Sequence, residues 1–365
     1  MKPTLLFLLF SVNVSFGQSP GATSFIAADH PLIHWSGRTD RTHPTSVRFS
    51  YPGVSLRLLF EGNYCRVLLK NDDSQFKNYY TVLVDDQITQ TVAIGKDDEG
   101  FQVTIPTKKG THTLQLFKRT EGFVGEGIFE GVELEKGKKL LPLKNLSTRK
   151  IEFIGNSITC GYGNEGSSPS CHFSPETENN YMAYGAITAR LLQAEYMAVA
   201  FSGKGLMQNY DTRNPETMPF LYDRINPLKP SPLWKFGDWH PDVVVINLGT
   251  NDFAHGIPDS IQFASHYVAF LERIRKNYPH AYLLCIEGCM TKDGWPTGVL
   301  SLTTVKRYIQ AAVQDFGKKG NERVSYFFPT QMQPGEEGCD WHPQISRHQK
   351  MADELGTEIK KCVGW

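Results

Sequence analysis

Short apolar runs separated by turn residues fill the first third of the chain. Ser46-Val-Arg-Phe-Ser-Tyr51 and Val54-Ser-Leu-Arg-Leu-Leu-Phe60 alternate apolar with polar positions. Tyr64 to Leu69, Tyr79 to Val84, Thr91 to Ile94, Phe101 to Ile105, Thr111 to Phe117 and Gly127 to Leu134 continue the rhythm. A period of two marks strands with one buried face, because successive side chains point to opposite sides. Glu61-Gly-Asn63, Asp85-Asp86, Asp97-Asp-Glu-Gly100 and Lys108-Lys-Gly110 supply turns between them. Residues 22–140 are therefore expected to form an antiparallel, jelly-roll-like β-sandwich.

Residues 136–149 are polar and lysine-rich and read as a linker. Beyond them the pattern changes. Apolar strands at Lys150–Ile154, Glu195–Ala200, Asp242–Leu248, Ala281–Ile286 and Val324–Phe328 alternate with amphipathic helices at Tyr181–Gln193, Asp259–Asn277, Ser301–Phe316 and Pro343–Val363. Ile261, Ala264, Val268, Leu271 and Ile274 share one face of the second of these helices. Strand–helix alternation predicts a five-stranded parallel sheet with helices on both faces, an α/β domain over residues 146–365.

Open α/β sheets place their chemistry beyond the carboxyl ends of the strands. Gly155-Asn-Ser157-Ile-Thr follows the first strand here, Ser202-Gly203-Lys-Gly205 the second and Gly249-Thr-Asn251-Asp252 the third. Cys339-Asp340-Trp341-His342-Pro343 comes after the fifth. Acyl transfer needs this set. Ser157 attacks a carbonyl, and His342 takes the hydroxyl proton and returns it to the leaving alcohol. The N–H groups of Ser157 and Gly203 and the amide of Asn251 hold the oxyanion. Each piece also has a plain structural use as a turn or cap, but their convergence on one sheet edge favours the chemistry. Asp238-Trp-His240-Pro241 repeats the late motif, yet it precedes the third strand. A strand of about seven residues spans roughly 23 Å, so His240 reads as structural. His255 is a candidate for the rim, and Asp252 reads as a loop brace.

Lysine plus arginine balance aspartate plus glutamate at 38 each, and no basic block stands out. Nucleic acid and anionic membrane surfaces are thus not expected partners. At the amino terminus, Lys2, apolar Leu5 to Phe10 and a small-residue exit at Gly17 read as a signal peptide over residues 1–17. It places the mature protein outside the cytoplasm, secreted or periplasmic, without integral membrane association. Seven cysteines suit that compartment. Spacing suggests Cys160 with Cys171 and Cys289 with Cys339, although spacing alone does not fix connectivity. No cluster has metal-ligand spacing, so neither metal nor cofactor is expected.

The four pieces resemble blocks I, II, III and V of the SGNH, or GDSL-like, hydrolases over residues 150–365. Together with the preceding sandwich, Gly-Asn-Ser-Ile-Thr, Ser-Gly-Lys-Gly and the late Asp-Trp-His-Pro resemble carbohydrate esterase family 2, the acetylxylan esterase-like group. The resemblance implies a flavodoxin-like hydrolase domain. It also implies removal of O-acetyl groups from plant polysaccharides such as xylan or mannan, often at sugar 6-hydroxyls, with hydrolysis or transfer to a second sugar both known. Two alternatives stay open: an SGNH esterase acting on other acylated sugars or lipids, and a non-catalytic polysaccharide-binding protein. The first block reads Gly-Asn-Ser where most relatives read Gly-Asp-Ser. Asp340 stands two residues before His342, where most SGNH enzymes place it three before. Either its carboxylate completes a Ser157–His342–Asp340 triad, or it points away and a backbone carbonyl orients the imidazole. Trp295 and Trp341 are candidate platforms for sugar rings, with Tyr162 and Trp234 as possible walls. Trp341 could equally pack beneath His342.

Overall fold

A computed structural model describes residues 22–73, 75–107 and 110–365. The signal peptide expected over 1–17 lies outside the described residues.

The amino-terminal part builds two antiparallel sheets. Its strands are β1 (Thr23–Ala27), β2 (His34–Ser36), β3 (Val47–Phe49), β4 (Ser55–Glu61), β5 (Cys65–Asn71), β6 (Asn78–Val84), β7 (Gln87–Ile94), β8 (Phe101–Gln102), β9 (Thr111–Lys118), β10 (Gly127–Glu135) and β11 (Leu140–Leu141). One sheet runs β1-β10-β5-β8 with β3 also on β10; the other runs β11-β4-β9-β6-β7 with β2 on β4. Alternation works as expected: Leu56, Leu58 and Phe60 on β4 and Cys65, Val67 and Leu69 on β5 are buried in the shared core. A bulge in β10 falls between Phe129 and Gly131. Gly131 has φ 143°, and a Cβ there would lie 2.2 Å from the Ile26 carbonyl oxygen, so only glycine lets β1 close on β10. Strands β2 and β11 are too short to show in the pattern, and β1, five residues long, buries none of its side chains fully. Of these, β11 lies within the stretch read as a linker.

The second part is a parallel sheet of β12 (Lys150–Gly155), β13 (Glu195–Ala200), β14 (Val243–Asn247), β15 (Tyr282–Ile286) and β16 (Val324–Phe327), ordered β13-β12-β14-β15-β16. This is the flavodoxin-like order, and β14 is buried along its whole length, as a strand covered on both faces must be. Its helices are α1 (Ser157–Cys160), α2 (Tyr184–Leu191), α3 (Met218–Leu221), α4 (Ser260–Asn277), α5 (Ser301–Lys318) and α6 (Ile345–Val363). Residues of α2 and α6 pack in one core cluster, and those of α4 and α5 in the other, which is continuous with the sandwich core.

Two helices start later than the pattern predicts. The Asn180 side-chain amide donates to the carbonyls of Thr159 and Cys160 at 2.8 and 3.1 Å. It therefore anchors α1 instead of capping α2. Pro343 forms a bridge with Glu337, which leaves Gln344 to cap α6.

The two parts interlock. Phe117 stacks on Tyr196 and meets Tyr181 edge-on. Arg38 of the sandwich reaches Glu152 of β12 at 3.0 Å, with both side chains fully buried. The Tyr222 hydroxyl donates to the other Glu152 oxygen at 2.9 Å. Among the described residues no helix is long and apolar enough to cross a membrane.

Candidate active site

The strand order reverses direction between β12 and β14, which leaves a crevice at their carboxyl ends. Ser157 sits there at the first position of α1. Gly155 makes the entry possible, since a Cβ on it would lie 2.0 Å from the Thr159 hydroxyl. Asn156 caps the helix by accepting from the Ile158 N–H at 3.2 Å. Gly161, left-handed at φ 84°, ends it after one turn. Ser157 is thereby fixed just beyond the carboxyl end of β12.

His342 Nε2 lies 2.8 Å from the Ser157 hydroxyl. Its Nδ1 lies 3.1 Å from the main-chain carbonyl oxygen of Asp340. A carbonyl can only accept, so the proton belongs on Nδ1, and Nε2 is left free to accept from Ser157. The Tyr162 ring stacks on the imidazole with centroids 4.1 Å apart. Burial pushes the imidazole pKa down to about 4, so the ring is neutral at ordinary pH and Nε2 is free to accept a proton.

The Asp340 carboxylate does not reach His342, and the expected carboxylate-completed triad is corrected here. Asp340 and Trp341 have φ of 50° and 59°. Two successive left-handed residues are costly for L side chains. The turn they make aims the Asp340 carbonyl at Nδ1 and sends its carboxylate elsewhere. That carboxylate accepts from the Tyr162 hydroxyl at 2.7 Å and the Phe173 N–H at 3.1 Å, and pairs with His172 Nδ1 at 2.9 Å. Burial works to raise its pKa, and the His172 and Tyr162 bonds outweigh it, holding the group below its ordinary value. Asp340 thus braces the ring that backs His342.

The loops after β13 and β14 flank Ser157. Gly203 is left-handed at φ 76°, and a Cβ placed on it would meet nothing nearer than 3.9 Å, so the backbone conformation rather than the space around it demands glycine. The N–H groups of Ser157 and Gly203 donate to no acceptor among the described residues. Asn251 donates one amide hydrogen to the Lys204 carbonyl at 2.8 Å, which fixes the amide and leaves its second hydrogen available. Asp252 accepts from the N–H groups of Leu206, Met207 and Gln208 at 2.9, 2.7 and 3.0 Å. It is a brace, and burial pushes its pKa up to about 6.

The two tryptophans are exposed, Trp295 at 50% and Trp341 at 59%. Tyr162, not Trp341, backs the histidine. Trp295 is held by its carbonyl, which accepts from the Ser301 hydroxyl at 2.8 Å. Trp234 is half-buried beside Arg38, 5.5 Å from its guanidinium, and forms no part of the rim. His240 is exposed ahead of β14, while its neighbour Trp239 bonds Glu195 at 2.9 Å. His255 does join the rim: its Nε2 meets the Tyr210 carbonyl at 2.8 Å and the two rings pack together. Tyr210 itself escaped the sequence reading. It is 58% exposed, and its N–H donates to the Gly203 carbonyl at 2.8 Å. Its signal was an aromatic residue in a polar loop close after Ser202-Gly203.

The expected disulfides are also corrected. Cys171 pairs with Cys339, while Cys160 and Cys289 are free and buried. The bond joins the loop after Ser157 to the turn that carries His342. Cys339 N–H to Gly163 carbonyl (3.1 Å) and Asp340 N–H to Cys171 carbonyl (2.9 Å) reinforce it.

Comparison with known proteins agrees with this architecture. Residues 35–143 match the family model "Carbohydrate esterase 2 N-terminal", and residues 153–344 match the "GDSL-like Lipase/Acylhydrolase family". The chain is 38% identical to the cellulase/esterase CelE of Acetivibrio thermocellus over 92% of its own length, which corresponds to 40% of that longer relative. It is 26% identical to an acetylxylan esterase / glucomannan deacetylase of Cellvibrio japonicus, covering 94% of this chain and 92% of that one. Among solved structures, a family two carbohydrate esterase from Clostridium thermocellum in complex with cellohexaose superposes with a TM-score of 0.85 at 36% identity, over 91% of this chain and 99% of that one. A backbone matched over nearly all of that esterase, carrying a serine–histidine pair at the sheet's switch point, places the chain in family two of the carbohydrate esterases, within the GDSL-like acylhydrolases, and makes it a carboxylic ester hydrolase.

Proposed function

We propose that the protein removes O-acetyl groups from plant polysaccharides, xylan or glucomannan and their oligosaccharides, through an acetyl-serine intermediate. The observation that carries this reading is the chain of contacts from the Ser157 hydroxyl to His342 Nε2 and from His342 Nδ1 to the Asp340 carbonyl. As Ser157 attacks the acetyl carbonyl, its proton passes to Nε2. The imidazolium so formed is stabilised by the carbonyl on Nδ1. The N–H groups of Ser157 and Gly203 and the free amide hydrogen of Asn251 receive the oxyanion. On collapse, the sugar oxygen leaves with the proton from Nε2. Water, or a second sugar hydroxyl, then gives its proton to Nε2 and attacks the acetyl-enzyme; the Ser157 oxygen leaves with that proton, and acetate or the acetylated sugar departs.

Tyr210 beside the Gly203 turn, Trp341 next to His342 and Trp295 in the loop after β15 carry exposed rings of a kind that suits pyranose faces. The curated relatives' names and the cellohexaose bound to one related structure support a β-linked glycan as occupant of the cleft. The amino-terminal Lys2 and Leu5–Phe10 pattern supports export. Domain limits of 22–140 and 146–365 fit this division of labour. Acetate release from acetylated xylan and glucomannan by wild type and Ser157→Ala tests the reading. Release by wild type that disappears in the variant is expected; equal release by both proteins overturns it.

A further inference from the structure

Behind the Ser202–Gly203 turn lies a group of ionisable side chains buried at the junction with the sandwich. Glu121, just past β9, is fully buried. One of its carboxylate oxygens accepts the Ser202 N–H at 2.7 Å, and the other accepts the Ser202 hydroxyl in a short bond. Ser202 directly precedes Gly203. The hydrolase part provides no acceptor of its own for these two hydrogens among the described residues; both bonds go to a side chain of the other domain. Glu178, in the loop between α1 and α2, holds Glu121 in turn by accepting its N–H at 3.0 Å. Lys118 completes the group. Its ammonium donates to the carbonyls of Thr120 and Glu121 at 2.6 and 3.2 Å.

We propose that Glu121 is a positioning residue of the esterase site, by which the β-sandwich fixes the Ser202–Gly203 turn and so aims the Gly203 N–H at the developing oxyanion. The inference rests on the reading of Gly203 as an oxyanion donor. A left-handed glycine is the softest point of such a turn. A donor that must already be aimed before the charge develops cannot be left to a soft turn. Two hydrogen bonds to one carboxylate remove the freedom on the Ser202 side. The Tyr210 N–H on the Gly203 carbonyl at 2.8 Å removes it on the other.

A carboxylate close to an oxyanion would oppose it unless its charge is balanced. Oxygens of Glu121 and Glu178 and the Cys160 sulfur all lie within 4.8 Å of one another. Two buried carboxyls so close oppose each other's ionisation. Burial and then the neighbouring Glu121 push Glu178 well up, and its second oxygen accepts from no described donor. The pair therefore resists holding two charges. Burial raises Glu121 as well, while both Ser202 hydrogens and Lys118 work to lower it; Lys118 is itself lowered to about 7 by burial. A paired carboxyl and a buried lysine beside Glu121 limit the charge that the clamp presents to the transition state.

The test uses the full chain with an aryl acetate as substrate. It compares wild type, Glu121→Gln, Ser202→Ala and Asn251→Ala in kcat, KM, thermal midpoint and affinity for an alkylboronic acid, which forms a tetrahedral adduct on a serine nucleophile. Loss of a whole oxyanion donor costs about 100- to 1000-fold in kcat. A misaimed donor should cost less: about 10- to 100-fold for Glu121→Gln and about 3- to 10-fold for Ser202→Ala. In both variants KM should stay within about twofold, and boronate affinity should fall in step with kcat. An interface brace without a positioning role would lower the thermal midpoint and leave kcat and boronate affinity of the folded molecules alone; that result overturns the proposal. If Glu121→Gln does not fold, Ser202→Ala decides by the same criteria. Asn251→Ala slowed while the other two variants match wild type would remove the clamp and keep the esterase reading. Wild type inert toward the ester would remove both.

Discussion

At His342 a main-chain carbonyl occupies the place that a carboxylate holds in a serine triad. In such a triad, replacing the aspartate by asparagine leaves the wrong tautomer and costs about 10,000-fold. Here Asp340→Asn keeps the carbonyl on Nδ1 and an acceptor for Tyr162, and it loses only a pair with the exposed His172. Turnover of Asp340→Asn on an aryl acetate should fall less than about tenfold; a drop of the triad size would show that the carboxylate acts on the imidazole. The burial that lowers His342 to about 4 sets the acid limb. Above that value the ring is neutral and can take the serine proton; below it the ring is protonated and cannot. The profile of kcat/KM should be level from neutral pH down to about 5 and fall about tenfold per unit below about 4. A limb near about 6.5, the value of a solvated histidine, would contradict that burial. Ser157, Gly203, Asn251 and His342 were legible in sequence because each sits in a short motif beyond a recognisable strand. The part played by Asp340 was not, because it depends on left-handed angles at residues 340 and 341 that no composition reveals.

The elements around the site are loops tied to one another. Cys171 and Cys339 are 168 residues apart in sequence, yet they join the loop after α1 to the turn ahead of α6. Removing a disulfide that closes a long loop typically costs about 2–5 kcal/mol. Replacing both cysteines by serine should lower unfolding stability by about that amount, read by urea denaturation. It should also reduce kcat, because the turn holding the Asp340 carbonyl loses its covalent anchor. Unchanged kcat would show that the main-chain bonds between the two loops suffice. The five parallel strands and the four long helices were visible as periodic apolar runs, with errors of two or three residues at the starts of α2 and α6. Cysteine pairing was not visible. It follows from how the loops after β12 and β16 cross over the sheet, and spacing along the chain carries no trace of that crossing. The strands β1, β2 and β11 were missed for other reasons: β2 and β11 are too short to show a period, and β1 has no fully buried face.

Across the whole molecule the sandwich and the hydrolase share buried charge. Arg38 lies among the rings of Tyr51, Tyr222, Trp234 and Phe236 and bonds Glu152 on the strand that leads to Ser157. Arg38→Ala leaves Glu152 buried without its cation, a change that typically costs about 3–5 kcal/mol. Because the pair spans both parts, calorimetry should show one cooperative transition shifted downward; two separate transitions, with only the sandwich shifted, would show that the parts fold independently. Nothing in the sequence linked Arg38 to Glu152, or Glu121 to Ser202, since each pair joins regions that look complete in themselves. On the proposed mechanism the active site is a property of the two-domain unit: the hydrolase supplies Ser157 and His342, and the sandwich braces the sheet and turn that carry them. The most direct test of the covalent mechanism is peptide mass spectrometry on enzyme quenched in acid during turnover of acetylated xylo-oligosaccharides. A single acetyl group on the peptide containing Ser157, absent from Ser157→Ala, is the expected result. Steady acetate release with that peptide unmodified at every quench time, and oxygen from labelled water entering the acetate in Ser157→Ala as in wild type, would contradict it.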